Sequence, residues 1–297
     1  MKKFLLAGAT VACLCGTPVL AADMPMKAPP PVATVPPVSG FLGIWGGEAW
    51  ISEPGSDNRE RTGLWGGEAR INWWLNPAWS FQFDAEGEKV FHTGDVSDDP
   101  RHHLLSAVHF DWRDQQVGSA GIFGGWVRAN NTNGNENANL GFVGLEGQRY
   151  YGPLTLYAQG GYLSQFKSIE FSDNITKAWF ARFAPRYFVT PNDRLSAEIG
   201  YARGDVNDQD GNRMRVINWG VAYEHKYDAY PVSTFLQYTG ARLKSTDHPE
   251  DHIIEHTVTA GVRVYFGQGT LLANDRTGAT YDTPGFIRYI PHVGYAD

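Results

Sequence analysis

Charged side chains recur at every second position along short segments of this chain, a spacing that places them on one face of a strand. Asp84, Glu86 and Glu88 follow this spacing, and Arg194 and Glu198 share a face in a later segment. Because successive strand residues point to opposite faces, such charges face one way and can bind or orient polar solutes. We expect a polar face of mixed charge, formed by Glu48, Glu68, Arg70, Asp84, Glu86, Asp111, Glu146, Arg182, Arg186, Arg194, Glu198, Glu224 and Arg263.

The mixture of signs on this face is compatible with two arrangements. A ring of one sign would indicate ion selectivity, whereas a mixture can produce a transverse field that orients permeating solutes. Alternatively, opposite charges pair with each other, because an isolated charge is costly where the dielectric constant is low. The pattern favours pairing and leaves the transverse field open.

Hydrolytic chemistry has weaker support in the sequence. His102 and Ser106 form a nearby His and Ser pair of the kind that a lipid hydrolase uses. Four residues of a strand span about 13 Å, which exceeds the hydrogen-bonding distance between a nucleophile and its base. A dyad would need side chains from two different strands, so we predict no catalytic residue and keep a lipid hydrolase as the less favoured alternative.

The sequence also predicts no metal site and no cofactor. The acidic segment that begins at Asp205 resembles a calcium-binding loop, but such a loop needs Gly at its sixth position, where Asp210 stands. Weak bridging of divalent cations to lipopolysaccharide remains open. The chain has two cysteines, Cys13 and Cys15, both near its N-terminus.

A short motif, Trp-Gly-Gly-Glu-Ala, occurs at 45–49 and again at 65–69. Strand parity is expected to place Glu48 and Glu68 on the polar face beside glycines. Small residues next to carboxylates would suit a binding pocket, but glycines in strands more commonly allow curvature and close packing. We favour the packing interpretation.

The strands that hold these charges recur with a regular period. Alternating segments restart at Phe41, Trp79, Val117, Leu154, Asp193 and Val232, and each interval contains two runs of about ten residues. Long polar connections alternate with short ones rich in Pro, Gly, Asn and Asp, which are turn formers. This layout predicts an all-β, up-and-down antiparallel barrel of twelve strands, near 41–51, 61–73, 79–90, 102–113, 117–128, 139–151, 154–166, 175–189, 194–203, 214–227, 232–243 and 255–266.

The apolar face of the barrel is expected to contact lipid. Aromatic residues collect near both ends of the strands, as in the belts that mark the two interfaces of a membrane. Twelve strands also enclose too much volume for a dry core. The even strand number puts both termini on the side of the short turns, which is the periplasmic side.

Four segments are expected along the chain. Lys2 and Lys3 precede the apolar run Phe4–Leu14, and small residues end near Ala21, which predicts a secretory signal peptide over 1–21. A lipoprotein signal acylated at Cys13 is the alternative. The remaining segments are a proline-rich periplasmic linker over 22–39, the barrel over 40–266, and a C-terminal tail over 267–297, either irregular or folded into the lumen as a plug.

The charge balance limits the class of partner. The chain has 32 acidic and 25 basic residues, a net charge of −7. An acidic chain is a poor ligand for nucleic acid, so no such partner is predicted.

The signal, the proline-rich lead, the first strand GFLGIWGGEAWI and the last strand HTVTAGVRVYF resemble those of Gram-negative outer-membrane β-barrel and porin-like proteins. The resemblance implies an outer-membrane location and contacts with lipid and lipopolysaccharide. It also implies that the insertion machinery recognises Val262, Val264 and Phe266. The chain departs from the family pattern because 31 residues follow Phe266, 297 minus 266.

Together, these features predict a narrow passive channel for small hydrophilic solutes. The alternative is a closed barrel with a structural or surface-interaction role. Solvated lumen charges would favour the channel, and fully paired ones the closed barrel.

Overall fold

The computed structural model describes residues 35–52, 59–92, 101–130, 137–166, 175–206, 213–245 and 252–289. The predicted signal peptide and most of the predicted linker lie outside the described residues, and so does most of each long connection. Within the described residues, no helix is long and apolar enough to cross a membrane.

Twelve antiparallel strands form a closed barrel, and both the fold class and the strand number predicted from the sequence are confirmed. The strands are β1 (Val38–Ser52), β2 (Arg59–Asn76), β3 (Trp79–His92), β4 (Arg101–Asp114), β5 (Gly118–Asn130), β6 (Asn137–Tyr151), β7 (Leu154–Gln165), β8 (Ile175–Thr190), β9 (Asp193–Val206), β10 (Arg213–Lys226), β11 (Val232–Ser245) and β12 (His252–Phe266).

Each strand pairs with its neighbours in the chain, and β1 pairs with β12 to close the barrel. Phe41 lies opposite Tyr265, and Gly40 lies opposite Phe266. Closure matters because an open sheet edge would leave backbone N–H and C=O groups unpaired, which is not tolerated in a hydrocarbon environment.

The apolar residues of the strands face outward, the reverse of a water-soluble barrel. Ile44, Ile199 and Val221 are each more than half exposed, whereas Asn218 and Glu224 on the opposite face are buried. At these positions, the alternation in the sequence therefore separates a lipid-type exterior from polar residues inside the barrel.

Short turns join the strands at one end of the barrel, as the sequence predicts. The Asn76 side chain accepts hydrogen bonds from the backbone N–H groups of Ala78 and Trp79, at 2.9 and 3.0 Å. Gly152 has a φ of +56°, a left-handed conformation that favours glycine. We call this end the turn side and the opposite end the loop side.

The chain continues after β12 into a segment over residues 267–289, which we call the tail. A helix, α1 (Leu271–Thr277), begins after Thr270, whose hydroxyl accepts a hydrogen bond from the Ala273 N–H at 3.0 Å, as an N-cap does. An extended stretch follows, and a short 3₁₀ turn forms over residues 285–289.

Candidate functional site

The lumen is the site that the strands position, and every predicted lumen charge except Glu48 lies on the inward face of its strand. Arg182, Arg186 and Glu198, for example, alternate with outward residues of β8 and β9 such as Phe183, which is 43% exposed. His103 and His109 also face inward.

The prediction for Glu48 is wrong because the two copies of the repeated motif face opposite ways. In β1, Trp45 points into the lumen, where its indole N–H donates to Glu88 at 3.0 Å; Glu48, three positions later, therefore points outward. In β2, Trp65 points outward and Glu68 inward. Outside the barrel, Glu48 pairs with Arg61 near the loop side, where an outward carboxylate gains a partner.

The tail enters the lumen at the turn side, where polar contacts anchor it to the wall. Lys226 donates to the Gly269 carbonyl at 2.7 Å, Trp74 to the Thr277 carbonyl at 2.6 Å, and Arg113 to the Gly278 carbonyl at 2.7 Å. Trp74, Tyr150 and Phe188 lie near the turn-side ends of their strands, where the sequence predicts an aromatic belt at the membrane interface. These three instead face the lumen, where Tyr150 and Phe188 are buried.

Asp282 of the tail binds three guanidinium groups of the wall. Its carboxylate lies 2.5 Å from Arg70, 3.1 Å from Arg182 and 2.7 Å from Arg186. Burial raises the pKa of the Asp282 carboxyl, but the guanidiniums of Arg186, Arg182 and Arg70 outweigh that effect and hold this pKa well below its usual range. The carboxylate is therefore ionised at neutral pH. We call these four residues the carboxylate latch.

A second tail carboxylate extends this contact toward the turn side. Asp275 accepts from Arg186 at 2.9 Å and from the Thr155 hydroxyl at 2.6 Å. Thr280 of the tail accepts a further hydrogen bond from Arg186 at 2.7 Å. Arg186 therefore divides its hydrogen bonds among three tail residues.

The aromatic ring of Tyr281 lies between two wall side chains. It stacks on His109 with ring centroids 5.5 Å apart, and the Arg113 guanidinium lies 4.5 Å from its centroid. His109 is itself between two carboxylates, with Nδ1 2.6 Å from Glu146 and Nε2 3.3 Å from Asp84. Tyr281 and Asp282 thus engage the wall through two adjacent contacts of different chemistry.

The charges on the other side of the lumen pair mainly within the wall. Glu224 lies 2.6 Å from both Arg194 and Arg263, and Arg263 also lies 2.8 Å from Glu68. Glu68 is in turn 3.0 Å from Arg70, so this network connects to the carboxylate latch. The paired arrangement that the sequence favoured is therefore the one that these residues adopt.

The loop-side half of the lumen is lined by apolar side chains. Leu140, Leu163 and Leu243 are fully buried there, together with aromatic rings such as Phe123 and Phe180. The tail completes this cluster with three side chains at its far end, Phe286, Ile287 and Tyr289. The sequence signal for this region is the weak alternation of β5, β6 and β8. In β6, for example, both the inward Leu140 and the outward Leu145 are apolar.

A cavity of about 180 Å³ remains in the lumen between the tail and the wall. Polar side chains dominate its lining, and they include Glu224 and Arg263 of the wall and Asp282 and Arg288 of the tail. Arg288 pairs with Glu88 at 3.0 Å. The sequence left open whether the tail is irregular or a lumen plug, and it identified no individual tail residue as part of this site.

No family model matches the chain, and no curated protein matches it in sequence. Among solved structures, the chain is similar to an outer membrane channel from Pseudomonas putida F1, with a TM-score of 0.59 and 16% identity over 81% of this chain and 100% of that one. This similarity agrees with the closed antiparallel β-barrel fold expected from the sequence.

Two further similarities are weaker. The KdgM porin has a TM-score of 0.44 and 9% identity over 77% of this chain and 99% of that one. The beta domain of the Bordetella autotransporter BrkA has a TM-score of 0.47 and 14% identity over 77% of this chain and 100% of that one.

Proposed function

We propose that the protein is a narrow outer-membrane channel for small hydrophilic solutes, closed in this conformation by its own tail. The observation that carries the proposal is the carboxylate latch, in which three wall arginines bind a carboxylate that is not part of the wall. A segment joined to the barrel only at Phe266 can leave without breaking any strand pairing, so the closure is separable from the fold.

The tail fills part of both halves of the lumen, the turn-side half and the loop-side half. Asp275 and Asp282 fill the turn-side half through ion pairs, while Phe286 and Ile287 fill the loop-side half through apolar contacts. Withdrawal of one segment would therefore remove contacts from both halves together. That coupling favours a gate over a passive filler.

The solutes are expected to be small. A twelve-stranded lumen is narrower than that of larger porins, and long side chains such as Arg182 and Arg263 project into it. Both signs of charge remain on the wall after the tail is removed, which favours the orientation of a polar solute over selection of one ion sign.

The orientation belongs to the same proposal. The turn side, the tail and both termini face the periplasm, and the loop side faces outward toward lipopolysaccharide. An epitope tag in the turn at Gly152 should stay inaccessible to antibody on intact cells, whereas one inserted within 131–136 should be reached. Labelling of the Gly152 tag on intact cells would reverse the orientation.

By the criterion of the sequence analysis, paired lumen charges favour the alternative function, a closed structural barrel, whereas the separable tail favours the channel. Planar-bilayer conductance separates the two. The full-length protein should be nearly silent, and a variant lacking 268–297 should conduct. A tail-deleted barrel that is folded, as shown by a β-sheet circular dichroism spectrum and a cooperative thermal transition, yet stays silent, would establish the structural barrel.

A further inference from the structure

Arg186 is a wall residue whose carboxylate partners, within the part of the chain that the structure describes, both belong to the tail. These partners are Asp275 at 2.9 Å and Asp282 at 2.7 Å. The Arg186 side chain is only 4% exposed. A buried guanidinium that loses its carboxylate raises the free energy of the folded protein. Arg186 of β8 therefore needs an anion that the wall does not supply.

Arg70 and Arg182 add to the same position. Each has a wall carboxylate of its own, since Arg70 lies 3.0 Å from Glu68 and Arg182 lies 2.6 Å from Glu198. Each nevertheless directs a further N–H group at Asp282. Three guanidiniums that converge on one carboxylate form a charge-assisted site with defined geometry.

The neighbours of Asp282 add hydrogen bonds without adding negative charge at this position. Gln159 donates to the Asp282 carbonyl at 2.5 Å, and the Asp282 N–H donates to the Tyr157 hydroxyl at 3.2 Å. The Asp282 side chain itself, a methylene and a carboxylate, has the size of acetate. The cavity beside it provides space into which a small solute can extend.

We infer that Arg70, Arg182 and Arg186 form a binding site for small organic carboxylates, and that Asp282 occupies it as an internal competitor. The inference rests on the proposed channel function, for which it names the solute class. A carboxylate solute and the tail compete for one site, so the solute favours the open conformation by mass action.

Chemical rescue of the full-length Asp282→Gly variant tests the site. The substitution removes an acetate-sized group and leaves the three arginines without their shared carboxylate. Thermal unfolding in detergent should occur at a lower temperature than in the native chain. Acetate at about 100 mM should restore roughly half of the lost shift, as expected for a ligand that binds only the folded state, and equal concentrations of chloride or acetamide should not.

Two arginine variants locate the rescue within the lumen. Asp282→Gly combined with Arg186→Gln should need an acetate concentration at least about tenfold higher, because a charge-assisted hydrogen bond is lost. Asp282→Gly combined with Arg194→Gln is the matched control and should be rescued normally, since Arg194 pairs with Glu224 on the wall.

Several outcomes would overturn the inference. Equal effects of acetate and chloride on the unfolding temperature would show that ionic strength, not acetate binding, causes the rescue. Rescue that is unchanged by Arg186→Gln would show that the anion binds elsewhere. If Asp282→Gly does not fold alone, its recovery during refolding in acetate becomes the readout, and no recovery contradicts the site. The assay does not require conduction. If the folded variant lacking 268–297 stays silent while acetate rescues Asp282→Gly, the channel is disproved and the site stands.

Discussion

The tail fills the two halves of the lumen with different chemistry. On the turn side, Asp275 and Asp282 bind wall guanidiniums at hydrogen-bonding distances. On the loop side, Phe286 and Ile287 pack against apolar rings and aliphatic side chains. One segment of the chain therefore makes directional, charged contacts at one level and non-directional contacts at the next.

Because one half is held by ion pairs and the other by apolar packing, the two halves should respond differently to pH, salt and mutation. Ion pairs depend on pH, on competing ions and on the geometry of each partner. Apolar packing depends mainly on the area removed from water. We therefore expect the turn-side half to determine specificity and regulation, and the loop-side half to exclude water.

The largest effect is expected from Asp282→Leu. It replaces the shared carboxylate by an apolar group of similar size and leaves the guanidiniums of Arg70, Arg182 and Arg186 without it. Breaking a buried ion pair in this way costs about 3–5 kcal/mol, here in the docking of the tail. Trypsin should then cleave at Arg276 or Arg288 while the barrel stays folded.

Asp205→Leu is the control for that experiment, because Asp205 pairs with Arg213 in an exposed position. An exposed pair contributes little, so this variant should resist trypsin like the native chain. Equal resistance of both variants would show that the carboxylate latch does not hold the tail.

The apolar half is tested by Leu163→Ala. Leu163 is fully buried, and removing its methyl groups should cost about 2–5 kcal/mol in the unfolding of the barrel. The effect, measured by heat or denaturant, should not depend on pH or salt. Leu145→Ala is the matched control on the outward face, where the side chain is 68% exposed. A comparable loss of stability in both variants would mean that the faces are misassigned.

Acid should act on the turn-side half. The pKa of Asp282 is lower in the folded protein than in an unfolded chain, so its contribution is present above the ordinary Asp value of 3.8 and is lost as the pH falls below that value. Conductance should therefore begin to rise as the pH falls below about 4, and it should keep rising as the pH approaches the lower pKa that Asp282 has in the folded protein. The groups that face Asp282 are Arg70 from β2, Tyr157 and Gln159 from β7, and Arg182 and Arg186 from β8.

Asp282→Asn separates this effect from the titration of other carboxylates. The amide keeps the size of the side chain and has no proton to gain in this range. The variant should conduct at neutral pH and lose most of the acid response. An unchanged acid response would assign it to another group.

The smallest effect is expected at Glu48. Its pair with Arg61 is outside the barrel and partly exposed, so Glu48→Gln should change stability by at most about 1 kcal/mol. Glu68→Gln should cost more, because Glu68 binds Arg263 and Arg70 in the lumen. Equal effects on thermal unfolding would contradict the opposite orientation of the two motif copies.

These contrasts show what strand periodicity can predict. Alternation in β3, β9, β10 and β12 was sufficient to assign their two faces, because lipid-facing and lumen-facing residues differ there in polarity. The turns were predictable from local chemistry. The Asn76 side chain accepts a backbone hydrogen bond within its turn, and Gly152 adopts a left-handed conformation that favours glycine. Periodicity is weakest where both faces are apolar, as around Leu140 and Leu145 of β6.

The candidate site was less predictable for a different reason. The position of Asp282 depends on where a tail of irregular conformation meets strands far away in the chain, and no local period encodes that contact. The lumen position of Arg113 could have been predicted from the sequence, because Arg113 is two residues from Asp111 and therefore lies on the same face of β4. Glu48 was misassigned because strand parity was counted wrongly in β1: Glu48 shares the parity of Leu42 and Ile44, which face outward.

The most direct test of the closed channel is a reversible cross-link between the tail and the wall in single-channel recordings. The Thr283 hydroxyl lies 3.1 Å from the Glu86 carboxylate, and neither residue belongs to the carboxylate latch. Cysteines at both positions, added to Asp282→Asn and joined by a short thiol-specific cross-linker that a reductant cleaves, should silence the current, and reduction should restore it. Current that is indifferent to the cross-link would contradict closure by the tail.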